Sequence, residues 1–453
     1  MRKKMTETEK QLNKVLAHQN DRLERLSVTS YECIDKKIQQ LEDALTARGI
    51  ALPNPKELSK PNRPQTVLRV SSWETMCNRA NEAIVGDVQL ECMLSEEEKQ
   101  SCDRAMRQWR REFNELHKLD KGDLMISVGA GILGALVDTL MVGIPRKTPE
   151  GLKGGPLENI VRDFFYKMLP DEEMKKLANS KDSKVPYDAP NNANTSIPVE
   201  GLSAYYHRML SLGHDPLLGF VVGVMDIMTG KMTTIDKAGN YASQVMPGWP
   251  EKAETEVFFA VARQFRHFKS DVTTAMGLPA PLMCLFNMLQ FGSIAEEEQT
   301  IAEIVQGMYY QGYDFIHFCS LSIPIAIVEV VTRIAYGIKR MKEGYGIRKS
   351  IPFSGNHDKH PKMATMLFVA YSVATAINAG KVALSGNPMA INYPQWLAFA
   401  RNSYKQLKWA LIQKPSARRT YLAGKLDERF EEVMKSVDSA FDELSDRYIV
   451  VID

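Results

Sequence analysis

Residues 123–138 read DLMISVGAGILGALVD, and this stretch decides the fold class. The fourteen residues between its two aspartates carry no charge, and Ser127, Gly131 and Ala135 recur at every fourth position. On a helix that spacing lines small side chains along one stripe, where another helix can approach closely. Working outward, apolar helical segments follow at 216–228, 254–276, 315–328 with a continuation through 338, and 363–380. The last is eighteen residues without a charge, at the lower limit for a membrane span, whereas the others are shorter or hold Asp138, Asp226 or Glu329 within or at their ends. Two placements stay open at this level, core helices of a large bundle and helices inserted in a bilayer. No strand alternation emerges before a short tail at 448–452. The prediction is an all-α protein, a multi-helix bundle with Gly-rich apolar central helices and amphipathic or coiled-coil-like helical ends.

Five segments follow from composition. Residues 1–52 form a helical arm in which Ile34, Ile38, Leu41 and Leu45 repeat at four-three spacing. Residues 53–66 contain Pro53, Pro55, Pro61 and Pro64 and read as a linker, because proline lacks the amide donor a helix needs. Residues 67–122 are a charged helical hairpin with Ser95 and Glu98 placed as a capping box. Residues 123–412 are the apolar helical core, broken by polar loops at 180–196 and 344–360 that read as surface excursions. Residues 413–453 close the chain with an amphipathic helix, on which Leu426, Phe430, Val433, Val437, Phe441 and Leu444 share a face, followed by the tail.

The 57 Lys+Arg nearly cancel the 55 Asp+Glu, so the net charge of +2 predicts no nucleic-acid partner. Six scattered cysteines form no C-x-x-C pair, which argues against a zinc knuckle or a disulfide framework and for a reducing compartment. A charged start without an apolar h-region predicts that the chain is not secreted and stays in the cytoplasm or at the cytoplasmic face of the inner membrane. The absence of a P-loop, of a G-x-G-x-x-G after a strand and of a G-x-S-x-G elbow predicts no nucleotide cofactor and disfavours an ATPase, a dehydrogenase and a typical esterase.

Histidines and aspartates in the apolar region are the candidate chemistry, since such groups are costly there unless paired or liganded. His207 precedes the run Gly213-His214-Asp215-Pro216, and His267 and Asp271 lie four apart, on one helical face. With Asp138 supplying a further oxygen, these groups would suit zinc, manganese or iron and a metal-activated water. The same residues also fit a plainer role, with Asp215 as a helix cap before Pro216 and His267–Asp271 as an intrahelical pair. His357 and His360 form a second H-x-x-H set in a polar loop that reads as solvated. The basic stretch of Arg333, Lys339, Arg340, Lys342, Arg348 and Lys349 reads as a solvated helix end.

The segments ISVGAGILGALVD, GHDPLLGFVVGVMDIMTGK, HFKSDVTTAMGLPAPL and IPFSGNHDKHPKMATMLFVAYSVATAINAGK resemble a group of uncharacterised bacterial multi-helix proteins over about 123–410. HDPLLGF and HFKSDVTTAMG are also similar to the motifs of the YdjM-like inner-membrane metal-dependent hydrolases. That resemblance implies His214, His267 and Asp271 as metal ligands, although here His214 is followed by Asp-Pro and not by a second histidine. The expected function is a membrane-associated metal-dependent hydrolase with a divalent metal, a lipid or phosphoester substrate, a membrane-lipid partner and self-association through the helical ends. Two alternatives stand beside it: a non-enzymatic helical membrane or pore-type protein, as in a bacterial defence or mobile-element system, and a soluble helical scaffold.

Overall fold

The computed structural model describes residues 5–49, 66–149, 151–292, 298–352 and 360–452; the proline linker, save Thr66, and His357 of the second histidine set lie outside them. Among the described residues the chain is predominantly α-helical. In order the helices are α1 (Glu7–Ala47), α2 (Trp73–Ala83), α3 (Glu96–His117), α4 (Lys121–Val137), α5 (Pro156–Met168), α6 (Asp171–Ala178), α7 (His207–Leu210), α8 (Val222–Thr229), α9 (Val257–Asp271), α10 (Ile301–Tyr310), α11 (Phe315–Lys342), α12 (Ile347–Ser350), α13 (Met363–Ser385), α14 (Tyr393–Lys408) and α15 (Lys414–Arg447). Among the described residues strands pair in twos: β1 (Thr66–Val70) with β6 (Tyr448–Ile452), β2 (Arg146–Thr148) with β3 (Gly151–Lys153), and β4 (Lys231–Ile235) with β5 (Tyr241–Val245).

The chain divides into two units, residues 1–115 with 414–453 and residues 116–413. In the first, Thr6 and Glu9 cap α1 reciprocally, and Ser95 and Glu98 cap α3 as their spacing predicts. The α1 arm is tied down by Asn13, which donates to the Val88 carbonyl at 3.1 Å. On α15, Tyr421 donates to Glu112 at 3.3 Å and its ring lies 5.6 Å from Phe113. The parallel β1–β6 ladder, Thr66 opposite Tyr448 through Val70 opposite Ile452, begins where the sequence suggested a linker. Its two halves are far apart in sequence, so no local pattern announces the pairing. The expected apolar stripes do form on the arm and on α15, and Leu23, Ile38 and Leu41 as well as Phe430, Val437 and Phe441 are exposed on the single chain.

The second unit is built on α4, which packs against α11 and α13, with α14 completing a four-helix bundle. The small stripe explains the closeness: a Cβ on Gly131 would stand 2.5 Å from the Ala370 carbonyl oxygen, and one on Gly134 would run into Val328. Asp120 caps α4, and Lys362 pairs with Asp123 at 3.0 Å, fixing the starts of α4 and α13 beside the end of α11, whose Lys339 contacts the same two carboxylates. The Lys339 portion of the basic stretch is therefore an ion-paired helix end. At the opposite end of the bundle, beside the start of α11, Asp138 is buried among Lys381, Asn378 and Asn392, each at 3.1 Å. The helical run Glu96–Val142, α11 and α13 are long and apolar enough to cross a membrane, and only 39%, 39% and 33% of their apolar windows are buried within the protein. Outward side chains such as Leu124, Met125, Leu136, Val330 and Ile334 consequently stay uncovered.

Residues 138–314, between α4 and α11, form an excursion whose cluster around Tyr187, Leu210 and Ile227 is its own, while the cluster around Met209, Met283 and Tyr309 also takes in Leu321 of α11 and Met389. Two expectations change here. The loop at 180–196 is not a plain surface excursion, because Val185, Tyr187 and Ala189 are core residues packed with Leu210, Ile227 and Met232. The segment 216–228 is a 3₁₀ turn (Leu218–Phe220) leading into α8, and the β4–β5 hairpin after it owes its turn to Asp236, which accepts from the Asn240 amide at 2.8 Å.

Candidate metal centre

Four chain segments deliver the site. The N-terminus of α7 presents His207, the tight turn after it presents His214, the last turns of α9 present His267 and Asp271, and the 180–196 loop presents Asp188. The Gly213–His214 turn is shaped by its neighbours. Gln264, fully buried on α9, donates to the Gly213 carbonyl at 2.8 Å and accepts from the Tyr187 hydroxyl. A side chain at 213 would sit 2.6 Å from the Tyr187 ring, so glycine is the residue that lets the turn close. The Tyr187 edge packs on both His214 and His267, with ring centroids 5.0 and 5.5 Å away.

Hydrogen bonding on the far side of two imidazoles sets their tautomers. His207 Nδ1 lies 3.0 Å from the Ala204 carbonyl and His267 Nδ1 lies 3.1 Å from the Ser183 carbonyl. A carbonyl only accepts, so both Nδ1 atoms carry a proton and Nε2 is the ring atom each imidazole turns inward. His267 Nε2 stands 3.1 Å from His214 Nε2 and 3.4 Å from Asp271 Oδ2, and His214 Nε2 is 3.8 Å from Asp271 Oδ2. Asp188 Oδ1 lies 3.2 Å from His207 Nε2 and 3.7 Å from His214 Nε2. Ligands bound at about 2.0–2.1 Å in a tetrahedron are separated by about 3.3 Å, so these spacings match the edges of a coordination polyhedron. Asp271 Oδ2 is buried with no hydrogen-bond partner, although Arg208 Nε is an ionic neighbour at 3.0 Å. The donor set fits a divalent ion: His214, shared by two overlapping three-residue groups, stands with His207 and Asp188 on one side and with His267 and Asp271 on the other.

The electrostatics agree with ligation. Burial pushes His214 down to about 3 against the upward pull of Asp188, so its ring is neutral at physiological pH. Desolvation works against the Asp188 carboxylate, yet His207 and His214 hold it below the usual range. Both shifts act the same way on stability. The unfolded chain binds protons that the folded site refuses, so metal-free protein is expected to lose stability as pH falls from about 6.5 towards 3. Thermal midpoints measured between pH 7 and 4 check this, and His214→Gln should flatten the upper part of the slope.

Not every candidate joins the cluster. Asp215, the residue next to His214, faces away: its carboxylate accepts from the Leu217 and Leu218 amides at 2.9 Å and from the Leu282 amide at 2.5 Å. It is a turn cap and a tie to the 280s, the plainer of its two sequence readings. Asp138 is held at the end of the bundle by Lys381, Asn378 and Asn392, all used up in that network. His360 is buried with its ring 5.7 Å from Tyr336, on the bundle and away from the solvated role its loop suggested. Asp188 was missed by the sequence, where a lone aspartate in a Pro- and Asn-rich loop carries no periodicity.

A second buried polar set was also missed. Arg162 on α5 grips Asp314 with a two-pronged contact at 2.8 and 2.9 Å and donates to Glu158 at 2.9 Å, while His317 donates to Glu158 at 2.7 Å. All four side chains are almost wholly buried, and the set fastens α5 to the first turn of α11. The i,i+4 pair Glu158–Arg162 and the cap Asp314 were the local hints.

Fold and site together define an all-α multi-helix protein carrying a histidine–aspartate cluster suited to a divalent metal. No protein-family model, curated protein or solved structure matches the chain.

Proposed function

We propose that the chain is a membrane-associated, metal-dependent hydrolase of lipid or phosphoester substrates, with zinc, manganese or iron held by His207, His214, His267, Asp188 and Asp271. The observation that carries this reading is the meeting at His214 of two three-residue groups, Asp188 and His207 on one side and His267 and Asp271 on the other, with one of the two carboxylates open to solvent. The Asp188 side chain is 42% exposed, so water and a substrate have a way in, as a catalytic site requires and a closed structural site does not. A divalent ion held by these residues would supply the acidification of water towards neutrality that hydrolysis needs. The protein's own part is positional: the Ala204 and Ser183 carbonyls hold two rings in register, and Arg208 orients Asp271. In the hydrolysis, oxygen from water bonds to the acyl carbon or phosphorus, the ester bond breaks, and a proton passes to the departing oxygen. Membrane association is supported by the three apolar helices with uncovered outer faces, and the inner membrane is the proposed location.

The test is turnover of chromogenic phosphodiesters and carboxylic esters by full chain in detergent, loaded in turn with zinc, manganese and ferrous iron. Metal-dependent hydrolysis that drops by about 100-fold or more in His267→Ala supports the reading, since even partners of ligands contribute 10–100-fold. Bound metal with no hydrolysis under any ion would leave the cluster a structural site in a non-enzymatic helical membrane protein, the reading that the close Gly131 and Gly134 contacts also suit.

A further inference from the structure

The helix that carries His267 and Asp271 has a second face. On α9, Ala260, Gln264, His267 and Asp271 point inward and are buried, while Val257, Phe258, Val261 and Phe265 are exposed, Phe258 to 76%. Two neighbouring elements repeat the pattern. Leu217, Val221 and Met225, four residues apart, are exposed along the approach to α8 and on α8 itself, and Ile160, Phe164 and Met168, also four apart, are exposed on α5. The three stripes share one underlayer: Phe268 lies 5.4 Å from the Phe220 ring and clusters with Val161, Phe165 and Leu169 of the α5 region. The same cluster contains Phe315 and Ile316, the first residues of α11. The aromatic surface is therefore anchored beside the first turn of α11, a helix long and apolar enough to cross a membrane. Exposed Lys269 on α9 and Lys167 on α5 accompany it, the basic groups that helices lying in a bilayer surface use towards anionic head groups, beside Arg266, which pairs with Asp182 at 3.7 Å, and the exposed Asp163.

We propose that this α5–α8–α9 face seats on an anionic lipid bilayer, beside the point where α11 enters it. A folded soluble surface rarely leaves so many large apolar side chains in one patch, and continuity with α11 favours lipid over a protein partner or a second copy. The metal ligands and the lipid-facing side chains then lie on different faces of one helix, about 10 Å across. On the hydrolase reading, on which this last step rests, the substrate is a bilayer-borne amphiphile: its chains stay among Phe258, Val261 and Phe265 while the linkage of its head group reaches the Asp188 side of the cluster.

The test needs no turnover. Full chain is reconstituted into nanodiscs of phosphatidylcholine and phosphatidylglycerol, with and without brominated acyl chains, as the parent and as Phe258→Trp, Phe265→Trp and, for an exposed site on β5, Tyr241→Trp. The added emission of the two α9 variants is expected to be quenched about twofold by brominated lipid and to resist aqueous iodide, with the opposite behaviour for Tyr241→Trp. Iodide quenching of the α9 variants equal to that of Tyr241→Trp, without a bromolipid effect, would overturn the proposal. Shielding from both quenchers would overturn it too, in favour of cover by a second copy. Metal content of the same preparations is read separately, so failure of the surface and failure of the metal site are distinguishable.

Discussion

His214→Ala and His267→Ala are each expected to reduce bound divalent metal from about one ion per chain to near zero, with far-UV helicity unchanged. The size of the effect follows from geometry. His214 Nε2 is the atom common to both three-residue groups, and His267 Nε2 stands 3.1 Å from it with its tautomer fixed by Ser183. Loss of a direct ligand should weaken binding by at least the 10–100-fold seen when a ligand's supporting partner is removed. Asp188→Asn should also weaken binding, whereas Asp215→Asn and Asp138→Asn should leave stoichiometry intact, because those carboxylates are consumed elsewhere. Elemental analysis of protein purified without metal-affinity steps reads all five variants. Equal metal content in wild type, His214→Ala and His267→Ala would remove the site, and with it the hydrolase proposal.

Arg162→Met is expected to be the most destabilising single change on the α5–α11 seam, costing about 3–5 kcal/mol, because it leaves two buried carboxylates facing each other with one guanidinium gone. Asp314 loses both prongs of its contact and Glu158 keeps only His317. With about 2–4 °C per kcal/mol for a chain region of this size, the thermal midpoint should fall by about 10 °C. Arg162→Lys should recover only part of it, since a single ammonium cannot fork across Asp314 and reach Glu158 at the same time. A midpoint within a degree of wild type for Arg162→Met would show that the set does not fasten α5 to α11.

The helices were legible because their causes are local. Gly131 and Ala135 at four-residue spacing mark the close-packed stripe of α4; Ser95 and Glu98 cap α3; and the uncharged run at 363–380 became α13 with five further residues, its end set by Gly386 in a left-handed conformation. Segments whose shape depends on distant contacts were not legible. The 216–228 run has the apolar content of a helix, yet Asp215 and the Gly213 turn, held by Gln264 from α9, tighten its start into a 3₁₀ turn. The β4–β5 hairpin was hidden because its strands are short and its turn is polar without the usual two-residue signature.

The site divides in the same way. The sequence placed His267 and Asp271 on one helical face and read Asp215–Pro216 as a helix start, since four-residue spacing and proline chemistry act within a few residues; the structure keeps the Asp215 cap, on a 3₁₀ turn ahead of α8. Only the tertiary structure decided which of these groups meet. It turned His214 inward and its neighbour Asp215 outward, carried Asp138 to the end of the bundle, and brought Asp188 from a loop with no periodic pattern to within 3.7 Å of His214. The reason is physical: a helix is written in hydrogen bonds between residues four apart, whereas a cluster of costly buried charges is settled by whichever partners the packed chain places within reach.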